Sequence, residues 1–447
     1  MLTAFGYLML VGMAAGMLYS FSRPPFAFVL VVCLYPLKQL QMTYMGFFAQ
    51  NSSYFNFLVF ACVAAGVLGN LTRNRAAMGG FLNKANVLLL LLYVYVLMGV
   101  AWTPVADNAW ARIRDGAPYW AMQVLLLPFL FSSLDDVRKT FVPAMLVGLL
   151  SCVLFFTNPN ASFYAGRLTL NIPLAGMEYR GNPLATAQLG GHIAIIAALM
   201  LPLRAGWLLN GVRMAALFMG LGMAVAAGSR GQLAAAVLSI LLFYPLARRV
   251  ANIRQFFLTA TGVAVFGLVG VIAIKIFLGQ DAEQLGRWNI TEWGKQTGER
   301  SADAFHLIEA WWANPGAWAL GLGTNYFSFL RGEPMSYAHN VLLELIGENG
   351  LVGITMYLVV AWLVFTSARD LWRMFSEDPA GRATLACLFA QAIFLTILSY
   401  KQGTFVGLPE PYYIWVLITK LAVTERVRQS EWMQQREWDA YAQGLPA

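Results

Sequence analysis

Long apolar runs separated by short polar segments make up most of this chain. They fall near 3–20, 24–42, 54–71, 86–103, 117–133, 140–157, 183–203, 212–228, 231–247, 255–278, 340–365, 383–400 and 406–423. An α-helix needs about 20 residues to cross a hydrocarbon core about 30 Å thick, so each run predicts a helix that spans or nearly spans a bilayer. We expect one of the first three runs to be re-entrant or merged with its neighbour, leaving about twelve transmembrane helices and both termini cytoplasmic. The pattern predicts an all-α polytopic integral membrane protein in four stretches. Residues 1–278 hold nine or ten spans with short loops, 279–339 form one long polar segment, 340–424 hold the last spans, and 425–447 form a tail.

One run breaks the pattern. Between Arg213 and Arg248 lie 34 residues of which Arg230 is the only charged one, in Gly228-Ser229-Arg230-Gly231. As a single helix this stretch would measure about 50 Å, too long for the hydrocarbon core, so the chain is expected to turn back at the glycines. Halves of about 25 Å would fall a little short of crossing and leave Arg230 slightly below one membrane surface. An ionisable group at that depth costs at least about 2.5 kcal/mol and marks a ligand, an ion path or a structural pair.

Composition agrees with the runs. Hydrophobic residues are 59% of the 447 positions and charged residues only 12%, more apolar than a soluble domain of this length requires. Met1-Leu2-Thr3-Ala4-Phe5 enters the first run without a basic region, so that run is expected to be a span and not a cleavable signal. Cys33, Cys62, Cys152 and Cys387 lie in or beside apolar runs without paired spacing, which argues for packing and against a disulfide framework or metal motif. The net charge of +8 is spread over short loops with no aromatic-interleaved basic face, which disfavours nucleic acid as a partner. Arg73, Arg75, Lys84, Arg138, Lys139, Arg204, Arg213, Arg248, Arg249, Arg254, Arg369, Arg373 and Arg382 instead mark one side, cytoplasmic by the positive-inside rule. Segments 104–116, 158–182 and 279–339, the Gly228–Gly231 turn and 401–408 then face outward. The tail from Glu425 to Gln443, with Trp432 and Trp438 among alternating charges, suits a short interfacial helix or a solvated tail.

Chemistry is expected on the outward face. The loop 279–339 is long enough to imply a function, and it carries Arg287, Arg300, His306, His339, Trp288, Trp293, Trp311 and Trp312. Flat aromatic rings suit sugar faces, and they also populate the interfacial belt of any membrane protein. Arg180 precedes Gly181-Asn182-Pro183 in the outward loop before the seventh run. Arg180, Arg230, Arg287 and Arg300 thus gather on the side where cations should be scarce. Arginine binds phosphate oxygens bidentately and stays charged, so the cluster points to a phosphate or diphosphate. Pairing with Asp281, Glu283, Glu292, Glu299 or Asp303 is the structural alternative.

From about 180 to 355 the chain resembles the O-antigen ligase and polymerase superfamily. The resemblance rests on Ser229-Arg230-Gly231; on Gly298-Glu299-Arg300 followed by Trp311-Trp312, Pro315-Gly316 and Gly321-Leu322-Gly323-Thr324-Asn325; and on His339-Asn340 followed by Leu342, Leu343, Glu344, Glu348, Gly350, Leu351 and Gly353. With one dominant outward loop and no appended soluble domain, the chain is most similar to the lipopolysaccharide O-antigen ligase branch. The resemblance implies a membrane glycosyltransferase (GT-C-like) fold in the Gram-negative inner membrane, with its active site facing the periplasm. It implies transfer of polysaccharide from undecaprenyl diphosphate to a hydroxyl of the lipid A-core oligosaccharide, with inversion and without metal, nucleotide or other cofactor. Carried over by position, Arg230 is the helix-break arginine, Arg300 the loop arginine and His339 the essential histidine. Arg180 is a plausible equivalent of an arginine beside a Pro-Asn pair, although the order here is Asn182-Pro183.

The residue chemistry is compatible with that expectation. A diphosphate leaving group needs charge stabilisation and a positioned hydroxyl. Arg230 with Arg300, Arg180 and Arg287 would grip the diphosphate, and His339 would take the hydroxyl proton, donate a hydrogen bond to phosphate, or serve the helix start alone. His192 and His306 read as structural. Glu344 and Glu348 share one helix face and suit an ion pair or the orientation of His339. Three scattered histidines and no outward Asp-x-Asp offer no metal site, and no Walker-type loop is present. A repeat-unit polymerase and a protein O-oligosaccharyltransferase would use the same grip. A transporter of a lipid-linked or anionic solute is the alternative of another class, disfavoured because no second helix break matches Gly228–Gly231.

Overall fold

The computed structural model describes residues 2–174, 177–201, 206–248, 304–334 and 336–442, together with Arg254, Phe257, Thr261 and Gly262. The helices are α1 Leu2–Ser22, α2 Phe26–Val32, α3 Leu34–Tyr44, α4 Gly46–Gln50, α5 Ser53–Arg73, α6 Lys84–Met98, α7 Ala106–Trp120, α8 Leu134–Phe156, α9 Pro183–Leu199, α10 Trp207–Ala226 and α11 Arg230–Arg248. After the long loop come α12 at 304–312, α13 Tyr326–Arg331, α14 Val341–Phe375, α15 Pro379–Gln402 and α16 Glu410–Ala442. Among the described residues eight helices are long and apolar enough to cross a membrane, or nine if the bent pair α2 and α3 counts as one span. The chain is therefore a helical membrane protein. That pair bends by 69° and is the irregular member of the first three runs. The run 255–278 lies almost wholly outside the described residues.

Two further apolar runs do not become straight spans. The run 117–133 joins the end of α7, where Pro118 sits inside the helix, to a π-helical segment Ala121–Leu126 and a 3-10 turn Leu127–Leu130. Carbonyls released by such irregular backbone need a donor where water is excluded. The buried Lys420 ammonium supplies it, donating to Pro128 O at 2.8 Å and Phe131 O at 2.6 Å. Glu425 then caps the next helix, accepting from Leu134 N at 2.7 Å. The run 183–203 yields only the 17 residues of α9, which are apolar and buried on nearly every side. A helix without a polar face belongs in a core, and α9 packs against α8, α10, α11 and α15. Its approach to α10 is close because Gly190 and Gly220 face each other, leaving no room for a Cβ on either.

The predominantly helical chain carries one small sheet, in the segment 158–182, that the apolar runs did not predict. Strands β1 Ala161–Tyr164, β2 Arg167–Leu174 and β3 Met177–Arg180 form an antiparallel sheet in the order β1-β2-β3. Ala165 and Gly166, both at positive φ, make the first turn, and Ala161 pairs with Leu170 and Asn171 with Arg180. Apolar and polar residues alternate in Arg167-Leu168-Thr169-Leu170-Asn171-Ile172, a period of two that a span-length reading passes over; Leu168, Leu170 and Ile172 are buried, and so is Thr169. The tail is helical, and residues 426–435 are exposed. From Glu410 to Ala442 the helix is continuous, so the tail prolongs the last apolar run instead of forming a separate helix.

Candidate functional site

The turn at Arg230 is built as the charge pattern predicts. The chain leaves α10 through Ala227, takes a left-handed conformation at Gly228 (φ 60°), and re-enters a helix at Arg230. Arg213 and Arg248 lie within or at the end of the flanking helices, so α10 and α11 have 20 and 19 residues. At about 1.5 Å per residue each is about 30 Å long, so the expected shortfall disappears. The two arginines cap the far end of α9, Arg213 bonding Ala197 O and Arg248 bonding Met200 O at 3.3 Å. Cations at a helix C-terminus complement its unpaired carbonyls.

A second cation, Lys401, comes to the Arg230 turn, 169 residues along the chain from its partner Gln232. Lys401 Nζ donates to Gln232 Oε1 at 3.1 Å, and Gln232 Nε2 donates to Gln402 Oε1 at 2.7 Å. Ser229 Oγ also donates to Gln232 Oε1. Gly231 leaves the space that the Lys401 side chain occupies, since a Cβ there would collide with it. Arg230 is half-buried. Lys401 was legible as a cation in an outward segment, but its proximity to Arg230 was not.

His339 sits just before α14 and holds a left-handed backbone, φ 56°, which only a few per cent of non-glycine residues adopt. Asn340 caps the helix, its Oδ1 accepting from Leu342 N at 3.0 Å and Leu343 N at 3.2 Å. The imidazole lies against Tyr337, ring centroids 4.1 Å apart. Arg112 from α7 covers the same Tyr337 ring at 5.6 Å and donates to Ser336 O at 2.9 Å.

Residues beside both of these elements line one cavity of about 540 Å³. Tyr337 reaches it from the His339 segment and Gln402, bonded to Gln232 of the Arg230 turn, from the end of α15; Lys38, Gln39, Tyr179 and Glu410 are among the other polar residues of its wall. Arg180 stands differently. It is exposed, with its guanidinium 3.2 Å from the centre of the Tyr164 ring, while its neighbours Tyr179 and Asn182 line the cavity. Asn182-Pro183 is a helix start, the Asn182 side chain accepting from Leu184 N and Pro183 occupying the first turn. Arg287 and Arg300, with Trp288 and Trp293, lie outside the described residues.

The remaining motif residues hold the loop in place. Glu348 accepts from Asn325 N at 2.7 Å and Phe327 N at 3.0 Å, and Glu344 accepts from Thr404 Oγ1 at 2.8 Å and Phe405 N at 3.1 Å. Both carboxylates thus clamp chain segments onto α14 rather than forming an ion pair. The helix kinks at Gly350 (φ 64°), and the freed carbonyls of Gly347 and Glu348 accept from Leu322 N and Gly323 N. Gly321-Leu322-Gly323-Thr324-Asn325 is therefore a docking strip, extended to α6 by Thr324 N to Gly99 O at 3.2 Å. Trp311 is buried in a small core with Leu307, Leu322 and Phe327, and the more exposed Trp312 stacks on Trp318 at 5.2 Å. His192 is tied to Gln391 in the core, and His306 bonds Glu309 on the surface. Among the described residues no three His, Cys, Asp or Glu side chains group together as metal ligands. No protein-family model matches this chain, and no curated protein matches it.

Proposed function

We propose that this protein is a membrane glycosyltransferase of the O-antigen ligase and polymerase superfamily. In this proposal it has a GT-C-like fold of about twelve spans in the Gram-negative inner membrane and acts at the periplasmic face. It moves a polysaccharide from undecaprenyl diphosphate to a hydroxyl of the lipid A-core oligosaccharide. The observation that carries this reading is the shared cavity, which the Arg230–Lys401 turn reaches through Gln402 and the His339 segment through Tyr337. Two cations at a helix start suit a diphosphate, whose charge grows as the sugar leaves. A wall of amides and phenols suits a saccharide, by hydrogen bonding to hydroxyls and contact with C–H faces.

Arg230 and Lys401 hold the diphosphate, joined in the proposal by Arg300, Arg287 and Arg180. His339 serves the same transfer from beside Tyr337, as proton acceptor or as donor to phosphate. The donor already stores the driving force in its diphosphate ester, so charge stabilisation and positioning suffice. The test is transfer by the purified full chain with one lipid-linked donor and two acceptors, rough lipopolysaccharide and a second donor molecule. A glycan-shifted lipopolysaccharide band on a gel is expected. Extension of the second donor would make the protein a polymerase, and transfer to neither would refute the proposal. Chelator in the same assay is expected to leave the rate unchanged.

A further inference from the structure

Three buried carboxylates stand at this end of the helices; Glu348 is bonded through both oxygens, Glu344 through Oε1 with its Oε2 unpartnered among the described residues, and the third through neither. Glu344 and Glu348 each accept two hydrogen bonds from the chain segments they clamp. The third, Glu410, starts α16 in Pro409-Glu410-Pro411, is only 5% exposed, and has neither oxygen hydrogen-bonded to a partner among the described residues. Burying a carboxylate in that state costs several kcal/mol at least, so a group absent from the protein itself is expected to complete it. Glu410 lines the 540 Å³ cavity, which also includes Gln402, the residue tied to the Arg230 turn, and Tyr337, the neighbour of His339.

We infer that Glu410 receives the acceptor hydroxyl, an assignment that rests on the transferase reading. A carboxylate repels the diphosphate and attracts an O–H, so the two substrates sort themselves between Glu410 and the Arg230–Lys401 turn. Gln39 and Tyr179 in the same wall offer further hydrogen bonds to a saccharide acceptor. In the transfer step the hydroxyl oxygen forms a bond to the anomeric carbon as the bond from that carbon to the diphosphate oxygen breaks. Both electrons of the broken bond leave on the diphosphate, and the hydroxyl proton passes to a Glu410 oxygen and later to water. His339 is then left to donate to phosphate.

The experiment uses the purified full chain with the undecaprenyl diphosphate-linked donor and rough lipopolysaccharide. It reads transfer on a gel and donor binding by tryptophan fluorescence. Glu410→Gln keeps shape and removes the charge, so transfer is expected to fall by about 100-fold or more while donor binding is retained. Transfer within about threefold of the wild type would overturn the assignment. Should Glu410→Gln lose donor binding as well, Glu410→Ala assayed with and without sodium formate decides. A rise of about tenfold with formate supports a carboxylate role, and no rise overturns it. A wild-type protein that transfers to neither acceptor refutes the transferase reading itself, an outcome distinct from an active wild type whose Glu410→Gln variant is equally active.

Discussion

Arg230 and His339 face different constraints although a residue beside each, Gln402 and Tyr337, lines the same cavity. Arg230 begins a helix beside Lys401, and in the proposed grip it would offer a diphosphate two parallel N–H donors and not charge alone. Arg230→Lys keeps the charge and loses the fork, so transfer is expected to fall by about tenfold or more, and by about 100-fold or more in Arg230→Ala. Steady-state transfer by membranes of equal protein content checks both, and wild-type rates in Arg230→Ala would remove it from the reaction. His339 instead carries backbone strain, at φ 56°. Glycine accepts that conformation freely, so His339→Gly should be about 1 kcal/mol more stable than His339→Ala while both lose transfer. Thermal midpoints of the two detergent-purified variants give the comparison, and a less stable glycine variant would show that the backbone is not what strains the site.

At the scale of elements, irregular backbone is held by particular side chains. The 3-10 turn Leu127–Leu130 releases carbonyls that the Lys420 ammonium takes up. Lys420→Met matches the length of the side chain and removes both ammonium hydrogen bonds, leaving Pro128 O with Phe131 N alone at 3.3 Å and Phe131 O without its donor, for an expected loss of about 2 kcal/mol or more. A lowered thermal midpoint in detergent is the measurement, and an unchanged one would mean that the carbonyls find other donors. The kink of α14 follows the same rule, since Gly350 releases carbonyls that Leu322 N and Gly323 N occupy. The Gly-Leu-Gly-Thr-Asn signature was visible in the chain as a motif. Its purpose was not, because the partner it docks on is a break in a helix whose apolar run reads as continuous.

For the molecule as a whole, the proposed orientation places the cavity end outside and the turn between α14 and α15 inside. The four native cysteines are buried, which makes introduced thiols readable. Gly316 and Glu377 are both exposed, on the loop and on that turn. Gly316→Cys in intact spheroplasts should react with a membrane-impermeant maleimide, and Glu377→Cys only after permeabilisation. Labelling of Glu377→Cys in intact spheroplasts would invert the topology and place the cavity on the cytoplasmic side.

Apolar run length is a local property, so the membrane class, most of the long helices, the break at Gly228–Gly231 and the cap at Asn340 could be read along the chain. The helix count was less legible, because Pro118 and the 69° bend between α2 and α3 interrupt runs whose hydropathy stays high. The three-stranded sheet was hidden because its alternation is short and lies in a segment polar enough to pass as a loop. Only the tertiary structure decided that Lys401 stands beside the Arg230 turn, that Glu344 and Glu348 are clamps, and that Glu410 is buried facing a cavity. Each depends on contacts between segments distant in sequence or on what surrounds a side chain, and hydropathy along the chain carries neither.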